Sequence, residues 1–582
     1  MKPLTTLSIK SLFVPLVCLT LVSCGGGGGG DGPNAAPEPA LAGALTPECG
    51  GGSCAAVNAN TYSGSGIGVW RFNNTSGADV RFNVDIAGVP AGKTATLVFS
   101  NGSQATASPP SSGVLASPVT PALAPASAGA EAASFAGAAA KPAGHDDAHT
   151  QMLDKNRAVA SGLIRSRTTT HASSDLASSL PGVARLSFSP AVGTNKSWID
   201  NFPATPVSYP TSAQFVCALP TGRKVVWWVD PNIVASGKFT QPALDVALKA
   251  MQDSYCGPSG SGGGLAQLTA PALLNDVWGS AASRFIDVIQ DTPSLQDVNV
   301  VLLNVPPNIG WAGYFFAGNN LLKTSRASSN EALAFFVNAD QLKIDLNFTT
   351  STLLHESTHM VNFYQRAVVR GVAHDTWLEE TAAMMTEDIV APAVIVGGYN
   401  KIMSVRLPAY LKAGGNVSYL NWPTALLDSS PHYGLGGGFG AFLNRRYGLV
   451  IYQQLITSCS DAPATASAPA RTSYDCLDGL IKANGGAGFS DEFSRFGATV
   501  FGQLPAAGAP AGYGYPSVKA GGYTLQANDL SASGPRPPAA LASGYTATSQ
   551  TYQRDTIAAG KTSYVRNGVL VPARTTLTLV IQ

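Results

Sequence analysis

Alternating apolar and polar residues near both ends of the chain predict two small β units. The first unit, at residues 55–102, has strand-like runs separated by turn residues at 66–72, 78–86 and 94–99. The second unit, at residues 501–582, has strand-like runs at 521–526 and 575–581. The sequence therefore predicts a β-rich region on each side of the central residues 103–500.

Residues 183–500 carry strand-like and helical patterns together. Short apolar runs predict strands at 223–229, 298–304, 313–316 and 334–337. Helical patterns occupy 241–255, 350–370 and 377–390, and more helices are predicted to about residue 500. Because strands precede a mostly helical part, the sequence favours an α+β fold with one large domain at 183–500.

Two further segments have compositions typical of linkers. Residues 25–54 are rich in Gly, Pro and Ala and predict a tether, whereas residues 103–180 are dominated by Ala, Ser and Pro and predict a low-complexity linker. His145 and His149 lie in that linker beside two aspartates. An inhibitory metal-binding pro-segment is one interpretation of them, and a solvated linker is the one that the composition favours.

Residues 1–24 predict a signal peptide, because Lys2 and Lys10 precede an apolar run too short for a transmembrane helix. Residues 21–24, Leu-Val-Ser-Cys, resemble the lipobox of bacterial lipoproteins. That resemblance implies cleavage before Cys24 and a lipid anchor on its thiol, and the following Gly favours the outer membrane. An ordinary signal peptide with a chance cysteine is the competing interpretation.

The overall charge limits the class of partner. Only 12% of the 582 residues are charged, the formal net charge is +1, and no basic stripe stands out. Phosphate binding needs clustered Lys and Arg, so nucleic acid is not expected as a partner.

Cysteine usage agrees with export. Once Cys18 leaves with the signal and Cys24 carries lipid, six cysteines remain in three pairs of sequence neighbours. Proximity predicts disulfide bonds within these pairs, which are Cys49–Cys54, Cys217–Cys256 and Cys459–Cys476. A metal role is the competing interpretation, but no His accompanies the pairs and their spacings do not suit a zinc site.

The predicted helix at 350–370, which Thr349 or Thr350 is expected to cap, contains the motif H-E-x-x-H. His355 and His359 are four positions apart on one helix face, so both imidazoles can reach one Zn²⁺. Glu356 is offset by about 100°, which lets it take a proton from water beside the metal. The competing interpretation is a surface helix with two neighbouring histidines.

A catalytic zinc site has a third protein ligand and one open position. Thr376 and Glu379 form a predicted capping box that folds Glu379 back on the helix start and leaves Glu380 to face the metal. His374 is an alternative third ligand, although the longer three-histidine motif is absent.

These motifs resemble those of a known family. The segment W-L-E-E-T-A-A at 377–383 is similar to the W-L-N-E-G-x-A element of gluzincins, and residues 362–366 extend the likeness to the hyicolysin family of secreted bacterial metallopeptidases. The resemblance spans about 190–500 and implies a zincin-like catalytic domain, with a mixed sheet, an active-site helix and a helical subdomain. It also implies Glu380 as third ligand, although Glu379 stands where Asn is usual.

Further residues complete the predicted centre. Glu387 lies seven positions after Glu380 on the same face, so it or Asp388 is expected to orient a histidine ligand, unless both lie on an exposed face. Tyr433 is the candidate donor to the oxyanion and His432 the alternative, by resemblance to the corresponding gluzincin segment. Substrate main chain is expected to pair with an edge strand near residues 310–316.

The sequence thus predicts a zinc-dependent endopeptidase acting on extracytoplasmic protein, with Glu356 as general base. An aminopeptidase needs an anchor for the substrate amine, and no such element precedes the zinc helix. The alternative from another class is a non-catalytic, adhesin-like surface lipoprotein on a peptidase fold.

Overall fold

The computed structural model describes residues 45–50, 54–116, 151–162, 190–218, 224–257, 297–307, 309, 311–321, 323–368, 370–423, 430–459, 471–531, 541 and 544–582. The predicted signal peptide, Cys24, His145 and His149 lie outside these residues. From Leu41 to Gln582 the chain forms one compact unit.

The strands are β1 Thr46–Pro47, β2 Ala56–Asn58, β3 Thr61–Tyr62, β4 Gly68–Asn73, β5 Val80–Ala87, β6 Thr94–Asn101, β7 Val114–Leu115, β8 Asn195–Asp200, β9 Val207–Ala218, β10 Lys224–Val229, β11 Val298–Leu303, β12 Gly313–Phe315, β13 Leu333–Asn338, β14 Val518–Ala520, β15 Tyr523–Leu525, β16 Ser549–Thr556, β17 Ser563–Val571 and β18 Thr576–Ile581. The helices are α1 151–162, α2 Asn232–Ala235, α3 Gln241–Cys256, α4 Ala339–Ile344, α5 Leu346–Asn362, α6 Thr376–Ile389, α7 Ala391–Val394, α8 Leu407–Ala413, α9 Ser430–Tyr447, α10 Leu449–Thr457, α11 Ser473–Ala483 and α12 Phe489–Phe501. Two π-helical turns, Phe363–Val368 and Ile402–Arg406, follow α5 and precede α8.

The two β-rich ends of the chain build sheets together. One five-stranded sheet has the order β1-β4-β18-β6-β16, and the other has the order β2-β3-β5-β17-β7. Strand β18 pairs antiparallel with β4 on one side and β6 on the other. The N-terminal and C-terminal β regions therefore share their hydrogen bonds and one apolar core.

The helix with the H-E-x-x-H motif packs on a mixed six-stranded sheet. Its order is β12-β13-β11-β10-β9-β8, with β10, β11 and β13 parallel and β12 antiparallel at the edge. Helix α5 packs against β12 and β13, and α6 packs beside α5. Every residue from Phe348 to Asn362 is buried, so α5 lies inside the domain.

Helix α1 lies inside the segment that the composition assigns to a linker. Its buried residues Met152, Leu153, Asn156 and Ala160 fall on one face, which turns towards the domain core. The segment 103–180 therefore contains one amphipathic helix, and the buried face of that helix packs on the domain.

All three predicted disulfide bonds are present, with Cα–Cα separations of 5.5 Å for Cys49–Cys54, 6.2 Å for Cys217–Cys256 and 5.3 Å for Cys459–Cys476. Among the described residues, no helix is both long and apolar enough to cross a membrane.

Candidate metal centre

The motif helix begins earlier than its threonines suggest. Helix α5 starts at Leu346, and the side chain of Asp345 caps it by accepting a hydrogen bond from the Phe348 backbone N–H. The predicted caps Thr349 and Thr350 were therefore wrong. Their hydroxyls lie inside the helix and donate to carbonyl groups one turn back.

Two histidines of α5 and one carboxylate of α6 meet in the interior. Nε2 of His355 lies 3.1 Å from Oε2 of Glu380, and Nε2 of His359 lies 3.9 Å from the same oxygen. The possible ligand atoms of the three residues all lie within 4.8 Å of one another. The structure therefore brings together the three side chains that the sequence nominates as metal ligands.

This set of donors fits a zinc ion. Bond lengths of about 2.0–2.2 Å in tetrahedral geometry place two ligand atoms about 3.4 Å apart, and the two distances to Glu380 lie on either side of that value. Burial lowers the pKa of His355 to about 4, although Glu380 and Glu387 act against that shift. The imidazole is then neutral at neutral pH and its lone pair can bind a metal.

Glu379 and Glu380 face different sides of His359. The predicted capping box does not form, because α6 is preceded by Asp375 without a side-chain cap bond. Glu379 instead places Oε1 3.0 Å from Nδ1 of His359, and its Oε2 accepts a hydrogen bond of 2.9 Å from Asn362. Glu379 therefore contacts Nδ1 of His359, while Nε2 of the same imidazole faces Glu380.

His355 has a carboxylate behind it as well. Oε1 of Glu387 lies 3.6 Å from Nδ1 of His355 and 3.0 Å from Nζ of Lys401. Burial would raise the pKa of Glu387, but Lys401, His355 and Arg406 outweigh that effect and hold the pKa below its usual value. An ionised Glu387 thus faces the imidazole, where the sequence expected an orienting acceptor.

Two other predicted contributors lie elsewhere. Asp388 binds Arg445, Asn400 and Asn444 and contacts no histidine in the part of the chain that the structure describes, so it does not orient a ligand as suggested. His374, the alternative third ligand, has its Nε2 3.2 Å from the Leu455 carbonyl and stands outside the ligand cluster.

Glu356 links the motif helix to the edge of the sheet. Its Oε2 accepts a hydrogen bond of 2.8 Å from the backbone N–H of Phe315 in β12. Glu356 follows His355 in sequence and its side chain is buried. It is not one of the three residues of the ligand cluster. The Glu356 carboxylate thus contacts the strand on which a peptide is expected to pair.

Tyr433 reaches the cluster from α9. Its hydroxyl donates to Oε1 of Glu380 at 2.8 Å, and the Arg406 guanidinium stacks on its ring at 4.6 Å. His432 points to Trp422, with ring centroids 5.9 Å apart. Of the two predicted donors, the structure places Tyr433 against a ligand carboxylate.

Glycines let α9 approach closely enough for that contact. A Cβ at Gly434 would lie 2.4 Å from the Arg406 carbonyl oxygen, and one at Gly440 would lie 2.6 Å from Cγ of Met385 in α6. Such distances are far below van der Waals contact, so only glycine fits at both positions.

Sequence reasoning did not find Lys401, Asn362 as a partner of Glu379, or the orienting role of Glu379 itself. Lys401 has no motif around it, and its burial against Glu387 depends on a π-helical turn. The signal available for Asn362 was its position three residues after His359, which makes the two side chains neighbours on one face of α5.

An H-E-x-x-H helix packed on a mixed sheet, with a carboxylate from the next helix as third candidate ligand, defines a metallopeptidase-type centre. Comparison with known families agrees, because the model of peptidase M30, the hyicolysin family, matches residues 210–582, more than half of the chain. The chain belongs to the peptidase M30 family. A second model, described as a domain of unknown function (DUF8571), matches residues 47–112. No curated protein matches the chain in sequence.

Proposed function

We propose that this protein is a zinc-dependent endopeptidase that hydrolyses extracytoplasmic proteins. The observation that carries the proposal is the convergence of His355, His359 and Glu380 on one buried point, with Glu356 next to His355 on the same helix. Membership of the peptidase M30 family supports proteolysis as the reaction class.

In this proposal His355, His359 and Glu380 hold the zinc ion, while Glu379 and Glu387 fix the orientation of the two imidazoles. When bound by these residues, Zn²⁺ would supply Lewis-acid polarisation of water and of the scissile carbonyl. Glu356 takes the proton of the attacking water as general base and then passes it to the leaving amine nitrogen. Its bond to the Phe315 N–H orients the carboxylate until substrate arrives.

Tyr433 is proposed as the donor to the developing oxyanion. In the structure its hydroxyl is engaged with Glu380, so a short rotation has to redirect that hydroxyl to the substrate oxygen during reaction. Removal of one such donor typically costs about 10²–10³ in turnover.

The proposal is tested on purified protein by measuring metal content and casein cleavage before and after a chelator. Chelation should abolish cleavage and added Zn²⁺ should restore it. A Glu356→Gln protein should keep one zinc ion per chain and lose cleavage, because it retains the ligands and lacks the base. Unchanged cleavage by this variant would rule out the proposed mechanism and leave a binding role for the fold.

We also propose that the chain is a lipoprotein anchored through Cys24 in the outer membrane of the cell envelope. The support is the lipobox-like segment 21–24 and the Gly-rich tether that follows it. A Cys24→Ser protein should move from the membrane fraction to the soluble fraction, because its thiol cannot be acylated. Retention of this variant in the membrane fraction would contradict the anchor.

A further inference from the structure

The edge strand β12 presents backbone groups on the side away from β13. The Asn338 N–H donates to the Ala312 carbonyl, and Tyr314 is opposite Phe336 in the antiparallel register. Inward and outward groups alternate along an antiparallel strand, so the N–H and C=O groups of Phe315 face outward. The Phe315 N–H is bonded to Glu356, so the carbonyl of Phe315 is the outward group that lies where an extended peptide would add to the sheet.

Asn156 of α1 occupies part of this edge. Its Nδ2 donates to the Phe315 carbonyl at 3.0 Å, and its Oδ1 accepts from the Ala317 N–H at 2.8 Å. A side-chain amide offers one donor and one acceptor with the spacing of a peptide group. The side chain therefore satisfies one backbone group of β12 and one of the 3-10 turn Ala317–Asn320 that follows it, and a substrate main chain would compete for the same two groups.

We infer that α1 is an intramolecular inhibitor and that its Asn156 amide occupies the site where the substrate main chain binds at Phe315 and Ala317. The inference rests on the proposed peptidase function. It adds that substrate binds along β12 and that α1 occupies this position in the structure. Helix α1 must leave β12 before a protein substrate can pair there.

Other contacts of α1 hold it in place without using the edge. Nζ of Lys155 donates to the carbonyl groups of Asn201 and Phe202, each at 2.8 Å, and Arg157 donates to the His374 carbonyl at 3.3 Å. Helix α1 also lies outside the residues matched by both family models, 47–112 and 210–582.

The side chains of the proposed catalytic centre are buried while α1 is docked. His355 is 3% exposed, Glu356 1%, His359 2% and Glu380 0%. The cavity between α1 and the metal site, bounded by Leu153, Asn156, His359 and Glu379 among others, has a volume of about 40 Å³. That is room for a few water molecules, whereas an endopeptidase needs a cleft that admits an extended chain.

The test compares the full chain with Asn156→Ala, Lys155→Ala and Gln151→Ala. Asn156→Ala removes both bonds to the edge, and Lys155→Ala loosens α1 without touching β12. Each hydrogen bond is worth a factor of about five, so casein cleavage should rise at least about tenfold in both variants. Gln151 is exposed on the same helix, so Gln151→Ala should cleave at the wild-type rate and serves as the matched control.

A second readout separates this inference from the proposed function. Binding of fluorescein-labelled casein is followed by anisotropy in the Glu356→Gln background, where no turnover is required. Asn156→Ala/Glu356→Gln should bind about tenfold more tightly than Glu356→Gln alone. Equal affinities, or weaker binding and slower cleavage after Asn156→Ala, would overturn the inhibitor role and make Asn156 a part of the substrate site. Tighter binding without cleavage in any variant would support α1 as the occupant and refute the peptidase proposal.

Discussion

At the residue scale, two adjacent glutamates of α6 have different environments. Side chains at successive helical positions point about 100° apart, so Glu379 and Glu380 cannot face the same point. Glu380 meets the Nε2 atoms of both histidines, and Glu379 meets Nδ1 of His359. In the proposed centre, the ligand Glu380 and the orienting residue Glu379 therefore differ by one position along one helix.

We predict that substitution of these two glutamates separates the roles. Glu380→Gln should abolish stoichiometric zinc binding, because a buried charged ligand is lost. Glu379→Gln should keep one zinc ion per chain with an affinity reduced about 10–100-fold, the usual cost of losing a partner of a ligand histidine. Titration with a competing chelator measures both.

The control for this pair is Glu331→Gln, which changes a partly exposed glutamate away from the ligand cluster. It should bind zinc like the wild type. The reverse order, with Glu379→Gln the more damaging change, would identify Glu379 as the third ligand.

At the element scale, α9 delivers Tyr433 to Glu380 because its glycines allow close packing. The Arg406 carbonyl approaches the α-carbon of Gly434 so closely that a methyl group has no space there. Lys401, whose ammonium lies 3.0 Å from Glu387, immediately precedes the turn that contains Arg406. The contact between α9 and this turn thus lies close to both the Tyr433 hydroxyl and the Glu387 carboxylate.

We predict that Gly434→Ala forces α9 away from this turn. Overpacking should lower stability by about 1–3 kcal/mol and reduce casein cleavage, because Tyr433 moves with the helix. Thermal unfolding and initial rates measure the two effects. Tyr433→Phe should show the loss of rate and keep most of the stability.

Gly479→Ala is the matched helix control. Gly479 is exposed in α11, and a Cβ there meets no atom within 4 Å. Alanine should stabilise this helix by about 0.5–1 kcal/mol and leave the rate unchanged. A Gly434→Ala protein as stable as this control would show that the close approach is not required.

At the scale of the whole molecule, the two ends of the chain fold as one β structure. Strand β18 is fully buried and takes all its sheet partners from β4 and β6, about 500 residues earlier. The pair of sheets also meets the catalytic part, since Arg71 of β4 forms ion pairs with Glu48 and Asp491, the latter in α12.

We predict that deletion of residues 45–116 prevents folding of the C-terminal strands. Without β4 and β6, the backbone groups and apolar side chains of β18 are left exposed, so the protein should aggregate or bind a hydrophobic dye. Soluble yield and cooperative thermal unfolding measure this. A chain that begins at Leu41 is the control and should unfold like the full chain. A soluble, cooperatively unfolding deletion protein would show that the ends are independent.

The sequence by itself determined the local features. The i,i+4 spacing put His355 and His359 on one face, neighbouring cysteines predicted the three disulfide bonds, and apolar runs located β10, β11 and β13. Each of these depends on residues close together in the chain, where periodicity and spacing carry the information. The resemblance of the motifs to the hyicolysin family was confirmed at the level of peptidase M30.

Tertiary structure alone decided the features that depend on distant residues. Asn156 meets Phe315 across 159 positions, and Tyr433 meets Glu380 across 53. The capping box at Thr376 was a valid local pattern, but the bonds of Glu379 to His359 and Asn362 replaced it. Local preferences are worth about 1 kcal/mol, so a buried contact that satisfies a charge overrides them, and only the folded chain shows which contact that is.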